Sequence, residues 1–195
     1  KKGDYPMKKL SILLIVALLS TLLVLPASAQ TITWTSGFQV QNLSSTAAAS
    51  ILIYYYNQDG TEAITPVSDS IAAMGSKTYF PIHAADGFSG SVVVESTEPV
   101  VAIANTIGST DTTANFYWAS TESFASGAQT VNLPLIMRNN SGFSTWFNVQ
   151  NAGATDATVS VSYIAGSSGT DYNAPSVVVK PGASATFNQL GMTAL

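Results

Sequence analysis

The feature that most constrains this chain is an internal repeat. The phrase FQVQN at Phe38–Asn42 returns as FNVQN at Phe147–Asn151. With an offset of 109 residues and no gap, Phe38–Glu62 aligns with Phe147–Asp171, and nine of the 25 aligned pairs are identical. The match resumes at an offset of 107, where a shared Gly-x-x-x-x-Phe spacing ends each stretch. Such self-similarity indicates a duplicated structural unit, and it has to be recognised before the fold is assigned.

Each unit has the pattern of short strands separated by turns. Thr158–Tyr163 alternates strictly, with Val159, Val161 and Tyr163 on one face and hydroxyl side chains on the other. Such alternation predicts a half-buried antiparallel strand. Asp59-Gly60 and Ser168-Gly169 stand where a hairpin needs positive φ. Because about seven strands follow at 8–12-residue spacing without a helical period, we predict an all-β fold of tandem immunoglobulin-like antiparallel β-sandwiches.

The repeat also predicts the domain organisation. We expect a first sandwich at residues 30–122 and a second at residues 123–195, with Ser120–Gln129 as the connecting loop and Thr130–Met137 as the next strand. The second unit is incomplete, because it lacks counterparts of Ser91–Ser96, Val100–Asn105 and Ala114–Ala119. Either further sequence follows in the natural protein, or a strand from another subunit completes the sandwich.

The N-terminal region has the three parts of a secretory signal peptide. Lys8 and Lys9 precede the uncharged run Leu10–Leu25, and an Ala-x-Ala site ends at Ala29. The run of about 16 residues is shorter than the roughly 20 that span a bilayer as a helix. We predict a signal-peptide helix at residues 7–29, cleaved between Ala29 and Gln30, with an uncleaved anchor as the alternative. Residues 1–6 precede Met7 and are interpreted as translated leader.

This signal predicts export to the extracellular space or the cell surface. The charge composition of the exported part then indicates which classes of partner are disfavoured. From Gln30 onward the chain has three basic and ten acidic residues. A nucleic acid or an anionic membrane is therefore disfavoured as a partner, since both need basic surfaces. The chain contains no cysteine, so an exported fold would depend on its core rather than on disulfides.

The sequence contains no recognisable catalytic constellation. His83 is the single histidine, and neither a Gly-x-Ser-x-Gly elbow nor a cysteine is present. These absences argue against a Ser-His-Asp triad and a zinc site, so we expect no enzyme, no catalytic residues and no cofactor. Calcium is a weaker alternative at the turns that carry Asp59, Glu62 and Asp86, although no Asp-x-Asp loop occurs.

Two groups of apolar side chains are candidate contact residues. Trp34, Trp118 and Trp146 could stack on sugar rings, or they could serve as core and interface residues. In the gapless alignment, Ile51 and Ile53 replace the outward Ser160 and Ser162, and Tyr55 follows them. A strand that is apolar on both faces needs cover. We therefore predict that Ile51, Ile53 and Tyr55 meet a neighbouring domain or subunit.

The order of motifs is similar to that of a known family. Phe-x-Val-Gln-Asn, an alternating strand ending in Tyr, Gly-Thr and then Pro-Gly-x-x-x-x-Phe resembles the Ig-like, CARDB-like repeats of secreted bacterial cell-surface proteins. Leu133–Met137 and Gly90–Ser96 add to the resemblance. The family implies adhesion, surface-layer or matrix roles without shared catalytic residues.

We therefore expect an exported structural or adhesive protein, such as a surface-layer, filament or adhesin component. It would associate with itself or with neighbouring repeats through sandwich faces and strand edges. The alternative is a carbohydrate-binding accessory module of a larger secreted protein, with surface glycans as partners.

Overall fold

The computed structural model describes residues 32–110, 116–166 and 170–195. The predicted leader, the signal peptide and its cleavage site at Ala29 and Gln30 lie outside the described residues, as does the Ser168-Gly169 turn. The strands are β1 (Ile32–Asn42), β2 (Ala49–Asn57), β3 (Val67–Ile71), β4 (Ser76–Tyr79), β5 (Gly90–Ser96), β6 (Val100–Thr110), β7 (Phe116–Glu122), β8 (Trp146–Gln150), β9 (Ala157–Val159), β10 (Ser162–Tyr163), β11 (Tyr172–Asn173), β12 (Val177–Val179) and β13 (Ser184–Asn188). A single 3₁₀ turn, Gln189–Gly191, follows β13. The prediction of an all-β chain is confirmed for the residues that the structure describes.

The first unit consists of two antiparallel sheets. One has the strand order β4-β1-β6-β7 and the other β3-β2-β5. Strand β1 is the centre of the first sheet, because β6 pairs with all of its residues and β4 pairs with Phe38–Gln41. This arrangement is consistent with a β-sandwich.

The core of the first unit lies between these sheets and follows strand alternation. Along β1 the side chains of Phe38, Val40 and Asn42 are buried, while Gln39 and Gln41 are exposed. The ring of Phe38 stacks on that of Tyr79 at a centroid distance of 4.9 Å. The other sheet supplies the remaining buried members of the cluster, which are Ala49, Ile51, Ile53, Tyr55 and Ile71.

The second unit repeats part of this plan. Strand β8 pairs with β13, β9 with β12 and β10 with β11. Phe147 stacks on Phe187 at 5.2 Å, as Phe38 does on Tyr79. Within residues 116–166 and 170–195, no strand occupies the positions that β5, β6 and β7 hold in the first unit.

The segment Thr130–Met137, predicted to be a strand, is not one. Pro134 lies at its centre and cannot donate to a ladder, which disfavours pairing there.

The side-chain bridges of Asn42 and Asn151 show that the two units differ by one residue in the turn after β1 and β8, because Asn42 donates to the carbonyls of Ala47 and Ile71 and Asn151 to those of Thr155 and Val179. Beyond that turn the offset is 108: Ile51 pairs with Asp69, and Val159 pairs with Val177. The left-handed turn residue before β4 is Met74 (φ 57°), and its counterpart before β13 is Gly182 (φ 75°). The gapless alignment at 109 is therefore wrong beyond the turn, as is the resumption at 107.

A buried asparagine bridges that turn to strand β3. The side-chain amide of Asn42, which is 0% exposed, donates to the carbonyls of Ala47 (2.8 Å), Ile71 (3.1 Å) and Ala72 (3.2 Å). Its Oδ1 accepts from the Ser44 amide at 2.9 Å. The side chain thus ties the turn after β1 to the end of β3.

Asn151 makes the same connection in the second unit. Its amide donates to the carbonyls of Thr155 (2.8 Å) and Val179 (2.9 Å), and its Oδ1 accepts from Gly153 N (2.9 Å). The carbonyl it reaches in the turn is four residues ahead, whereas Asn42 reaches one five residues ahead. The repeated phrase FxVQN therefore encodes two inward side chains and this bridge.

Candidate functional site

The predicted interface residues do not lie on the surface. Ile51, Ile53 and Tyr55 are 4%, 0% and 0% exposed and belong to the core of the first unit. The prediction that they meet a neighbouring domain or subunit is wrong, because a shift of one residue moves every side chain of a strand to the opposite face. Their counterparts are Val159, Val161 and Tyr163 rather than the outward serines. The alternation of inward and outward side chains expected for Thr158–Tyr163 is confirmed, but the stretch forms parts of two strands, β9 and β10, rather than one strand.

A hydrogen-bonded network lies beside the core at the end of β4. Lys77 Nζ donates to Asp69 Oδ1 at 2.6 Å, and Tyr79 OH donates to Asp69 Oδ2 at 3.0 Å. Farther along, the buried Tyr55 hydroxyl and His83 Nδ1 lie 3.1 Å apart. His83 thus caps a core tyrosine, and this contact gives it a structural role at the edge of the core.

The Lys77 ammonium, by donating to Asp69, holds the pKa of that carboxyl below its usual range. Burial, followed by the hydrogen bond to Asp69, raises the pKa of Tyr79. Because the pKa of Asp69 is lower in the folded than in the unfolded state, its stabilising effect is complete above the unfolded pKa of about 3.9. That effect is lost as the pH falls through the folded pKa.

We expect Asp69→Asn to reduce the free energy of unfolding by about 1 kcal/mol at neutral pH. The effect is limited because Lys77 is half-exposed, so water screens its attraction to Asp69. The difference from the wild type should shrink below about pH 4 as the wild-type carboxyl is protonated. Urea unfolding across pH measures it. Asp86→Asn, at an exposed loop carboxylate, is the control, and a difference that persists unchanged at low pH would contradict the assignment.

No cluster of three or more His, Cys, Asp or Glu able to hold a metal ion occurs in the described part of the chain. Asp59 Oδ1 accepts from the Thr61 amide (2.9 Å) and hydroxyl (2.6 Å), which closes the Asp59-Gly60 turn. The expectation of calcium at Asp59, Glu62 and Asp86 thus gains no support from the geometry.

The candidate site is the face of the four-stranded sheet that points away from the core, here called the outer face. The strand pairing defines its members, because directly opposed residues share a face. Its described side chains are Thr33, Thr35, Gln39, Gln41, Ser76, Thr78, Val101, Ile103, Asn105, Ile107, Ser109, Trp118, Ser120 and Glu122. Glu122 is the single charged residue in this set.

The apolar part of the outer face is exposed. Trp118 is 72% exposed and Val101 42%, and Trp118 pairs across the strands with Ile107. Phe80, just beyond β4, lies over Gly37, where a Cβ would come within 2.8 Å of its ring. Glycine at position 37 therefore lets the Phe80 side chain approach the backbone of β1 closely.

The polar side chains described below on the outer face are uncharged, and hydrogen bonds between strands hold them in place. Gln39 donates to Thr78 Oγ1 at 3.1 Å, and Ser120 donates to Asn105 Oδ1. Such cross-strand pairs hold amide and hydroxyl groups at defined positions beside the apolar side chains. The outer face can therefore offer both apolar contact and hydrogen bonds to a partner.

The three tryptophans that are candidates for stacking on sugar rings lie in two places. Trp118 lies on the outer face, whereas Trp34 opposes Gly108 on the other side of the same sheet. The Trp34 and Trp146 rings meet edge to face at a centroid distance of 6.3 Å. This pair joins the first and second units, so Trp118 is the candidate for stacking on a ligand.

A second contact between the units surrounds the turn before β13. Gly182 packs on the ring of Tyr56, which a Cβ at this glycine would approach to 2.8 Å, and its carbonyl accepts from Ser91. Lys180 lies against Gly60 in the same way. The outward side of β2 is thus partly covered by the second unit.

The sequence reading missed Phe80, Val101 and Ile103 as candidate contact residues. The available signal was the alternation along β6, where bulky Val101, Ile103 and Ile107 interleave with Ala102, Ala104 and Gly108. Bulky residues usually mark the core face of a strand. Here Ala102 packs against the core and the bulky residues face out.

In the regions that the structure describes, no helix has the length and apolar character needed to cross a membrane. Comparison with models of protein families, with curated protein sequences and with solved structures found no match to this chain.

Proposed function

We propose that this chain is an exported structural or adhesive protein of the bacterial cell surface or extracellular matrix. In this proposal it attaches to other surface components through the outer face. The observation that carries the proposal is the inversion along β6, which leaves Val101 and Ile103 exposed on the same sheet face as Trp118, with the Asn105–Ser120 pair between them.

An exposed apolar patch of this kind has a physical consequence. Apolar side chains on a sheet face lose contact with water when a partner covers them, which favours association. The polar groups around them, such as Gln39 and Asn105, can hydrogen-bond at the rim of such a contact. An enzyme is not supported by this face, since it carries one carboxylate and no basic or nucleophilic pair.

The immunoglobulin-like part of the proposal is supported by strand pairing. If β1 to β5 correspond to strands B, C, C′, E and F, then B and E are neighbours in one sheet. Strand C lies between C′ and F in the other sheet. The departure is β6, which lies beside β1 rather than beside β5, where strand G belongs.

A second candidate function is carbohydrate binding. Trp118 projects from the outer face near the oriented Ser120–Asn105 pair. An exposed aromatic ring next to amide and hydroxyl groups suits the apolar side and the hydroxyls of a neutral sugar. This observation favours the accessory-module alternative on the same face.

We expect Trp118→Ala to lower retention of the chain on purified bacterial cell envelopes by about tenfold, because a well-packed aromatic anchor supplies on the order of 1–2 kcal/mol or more. A sedimentation assay over a range of envelope concentrations measures this. Periodate-treated and protease-treated envelopes separate the candidates: loss after periodate favours the carbohydrate-binding alternative, and loss after protease favours a protein partner.

Phe124→Ala is the matched control, since Phe124 is an exposed aromatic residue beyond the end of β7. It should leave retention unchanged. Equal retention of the Trp118→Ala variant and the wild type would refute attachment through the outer face.

A further inference from the structure

Two features of the second unit lack backbone partners among the described residues. One is the edge of β8 opposite β13. The other is the stretch Val131–Leu135, which belongs to no strand and is here called the apolar segment. The first unit shows what the β8 edge can accept, because the corresponding edge of β1 is paired with β6 along its whole length.

The direction of the β8 backbone identifies the groups at this edge. Asn151 N donates to Ala183 O on the β13 side. Because alternate residues of a strand point their N–H and C=O groups to opposite edges, those of Trp146, Asn148 and Gln150 point away from β13. These backbone groups form an open edge that can accept an added strand.

The core behind this edge is less covered than that of the first unit. Phe147 and Val149 of β8 are partly exposed, whereas their counterparts Phe38 and Val40 are buried. In the first unit Val100 and Ala102 of β6 pack against the core. An added strand with inward apolar side chains would supply the same cover.

The apolar segment has the properties of such a strand. Its alternating side chains Val131, Leu133 and Leu135 are 71%, 46% and 64% exposed. Its backbone makes no hydrogen bond with any residue that the structure describes. Three large alternating apolar side chains on one unpaired stretch match the inward face that β8 leaves open.

The segment cannot fill the edge of its own chain. Thr145 N donates to Met137 O, and Asn140 bridges to Phe143, which closes a short hairpin. Continuing the 137–145 pairing would place Leu135 opposite Phe147, but also Pro134 opposite Asn148. Proline has no N–H to donate to the Asn148 carbonyl. This antiparallel pairing is therefore disfavoured at its second residue pair beyond the hairpin.

A parallel arrangement removes this conflict. In a parallel pair, the residues that bond the neighbouring strand lie on opposite faces of the two strands. Val131, Leu133 and Leu135 would then face the core and bond β8, while Pro134 would point its ring nitrogen away from it. Parallel strands need a connection of about a dozen residues or more, which the bonded 138–145 hairpin does not provide. The segment must therefore come from another molecule.

We propose that β8 accepts the apolar segment of a second copy of this chain as a parallel added strand. The inference rests on the proposed function of a surface protein that assembles, and it names the partner and both elements of the contact. Pro134 would then lie at the outer edge of the completed sheet and block addition of a further strand.

Complementation between two variants tests this proposal. Asn148→Pro removes the edge N–H and should block the acceptor, whereas Leu133→Asp/Leu135→Asp should block the donor. The full chain, exported from a bacterial host, should form dimers or larger assemblies in sedimentation velocity. Each variant alone should have the monomer mass, and an equimolar mixture should show twice that mass.

Matched controls address the side chains themselves. Asn148→Ala removes the same side chain and its hydrogen bond from Thr186 but keeps the N–H, so it should still assemble. Asn132→Asp adds charge on the other face of the segment and should also assemble. If circular dichroism shows that Asn148→Pro fails to fold, Gln150→Pro carries the same edge block.

A wild-type chain that stays monomeric at every concentration would overturn the proposal, and so would a mixture that stays at the monomer mass. Either result would leave the outer-face attachment standing if Trp118→Ala still reduces envelope retention. Loss of the Trp118 effect with intact complementation would remove the proposed attachment face and leave the strand exchange.

Discussion

Replacing Asn42 with aspartate is expected to lower the free energy of unfolding of the first unit by about 4 kcal/mol or more. The substitution keeps the shape of the side chain but removes the amide that donates to Ala47, Ile71 and Ala72. Three carbonyls would lose this donor and face a buried carboxylate, although Ala72 O keeps its bond from Gly75 N. Each unsatisfied buried group costs roughly 1–3 kcal/mol, and an unpaired buried charge costs more. Thermal or urea unfolding followed by tryptophan fluorescence measures the loss.

Gln41→Glu is the matched control, because it makes the same change of amide to carboxylate one residue away on the exposed face. It should alter stability by no more than about 0.5 kcal/mol. Asn151→Asp should destabilise the second unit for the same reason, since Asn151 holds the equivalent turn. Similar stability of the Asn42 and Gln41 variants would show that the bridge contributes little.

Ile53→Lys is expected to unfold the first unit or to destabilise it by about 4–5 kcal/mol. The side chain is fully buried between the two sheets, so lysine would place an unpaired ammonium in the core and remove apolar contacts. Chemical denaturation of the purified chain, together with its yield, reports the effect.

Leu52→Lys tests the assignment of faces directly. Leu52 is the next residue on the same strand, points away from the core and is partly exposed. It should cost about 1 kcal/mol, since the lysine ammonium can reach water along its flexible stem. If Leu52→Lys proved the more damaging substitution, the gapless alignment of the two units would be correct after all.

Much of the fold was predictable because the strands alternate locally. The antiparallel strands and the turn at Asp59-Gly60 follow from residue patterns spanning a few positions. Gly60 has the expected positive φ of 85°. Such features depend on local backbone geometry, which the residues of each short stretch determine without contacts from elsewhere in the chain.

The face of β2 was not predictable from the repeat alone. Residues 51–56 are apolar at every position, so local alternation does not show which side of β2 faces the core. The prediction therefore depended on the alignment with the second unit. A turn shorter by one residue after Asn151 then reversed the assignment. The difference is visible only in the carbonyls that Asn42 and Asn151 reach.

The candidate site was predictable only in part. Trp118 was named as one of three tryptophans, but their positions depend on strand order and register, which bring residues more than 70 positions apart into contact. The alternation along β6 indicated two faces but not which one meets the core. Packing decided this, because Ala102 fits against the core and Val101 remains outside.

The sequence by itself determined that this is a repeated β-protein with few charges, without cysteine, and with polar and apolar positions that alternate along its strands. Those properties follow from composition and from the two-residue period of a strand. Only the tertiary structure decided which apolar face is buried, where the tryptophans lie and which strand edges lack a partner among the described residues. The physical reason is that register and strand order are set by long-range contacts, and a single residue gained or lost in one turn exchanges the inside of a strand for its outside.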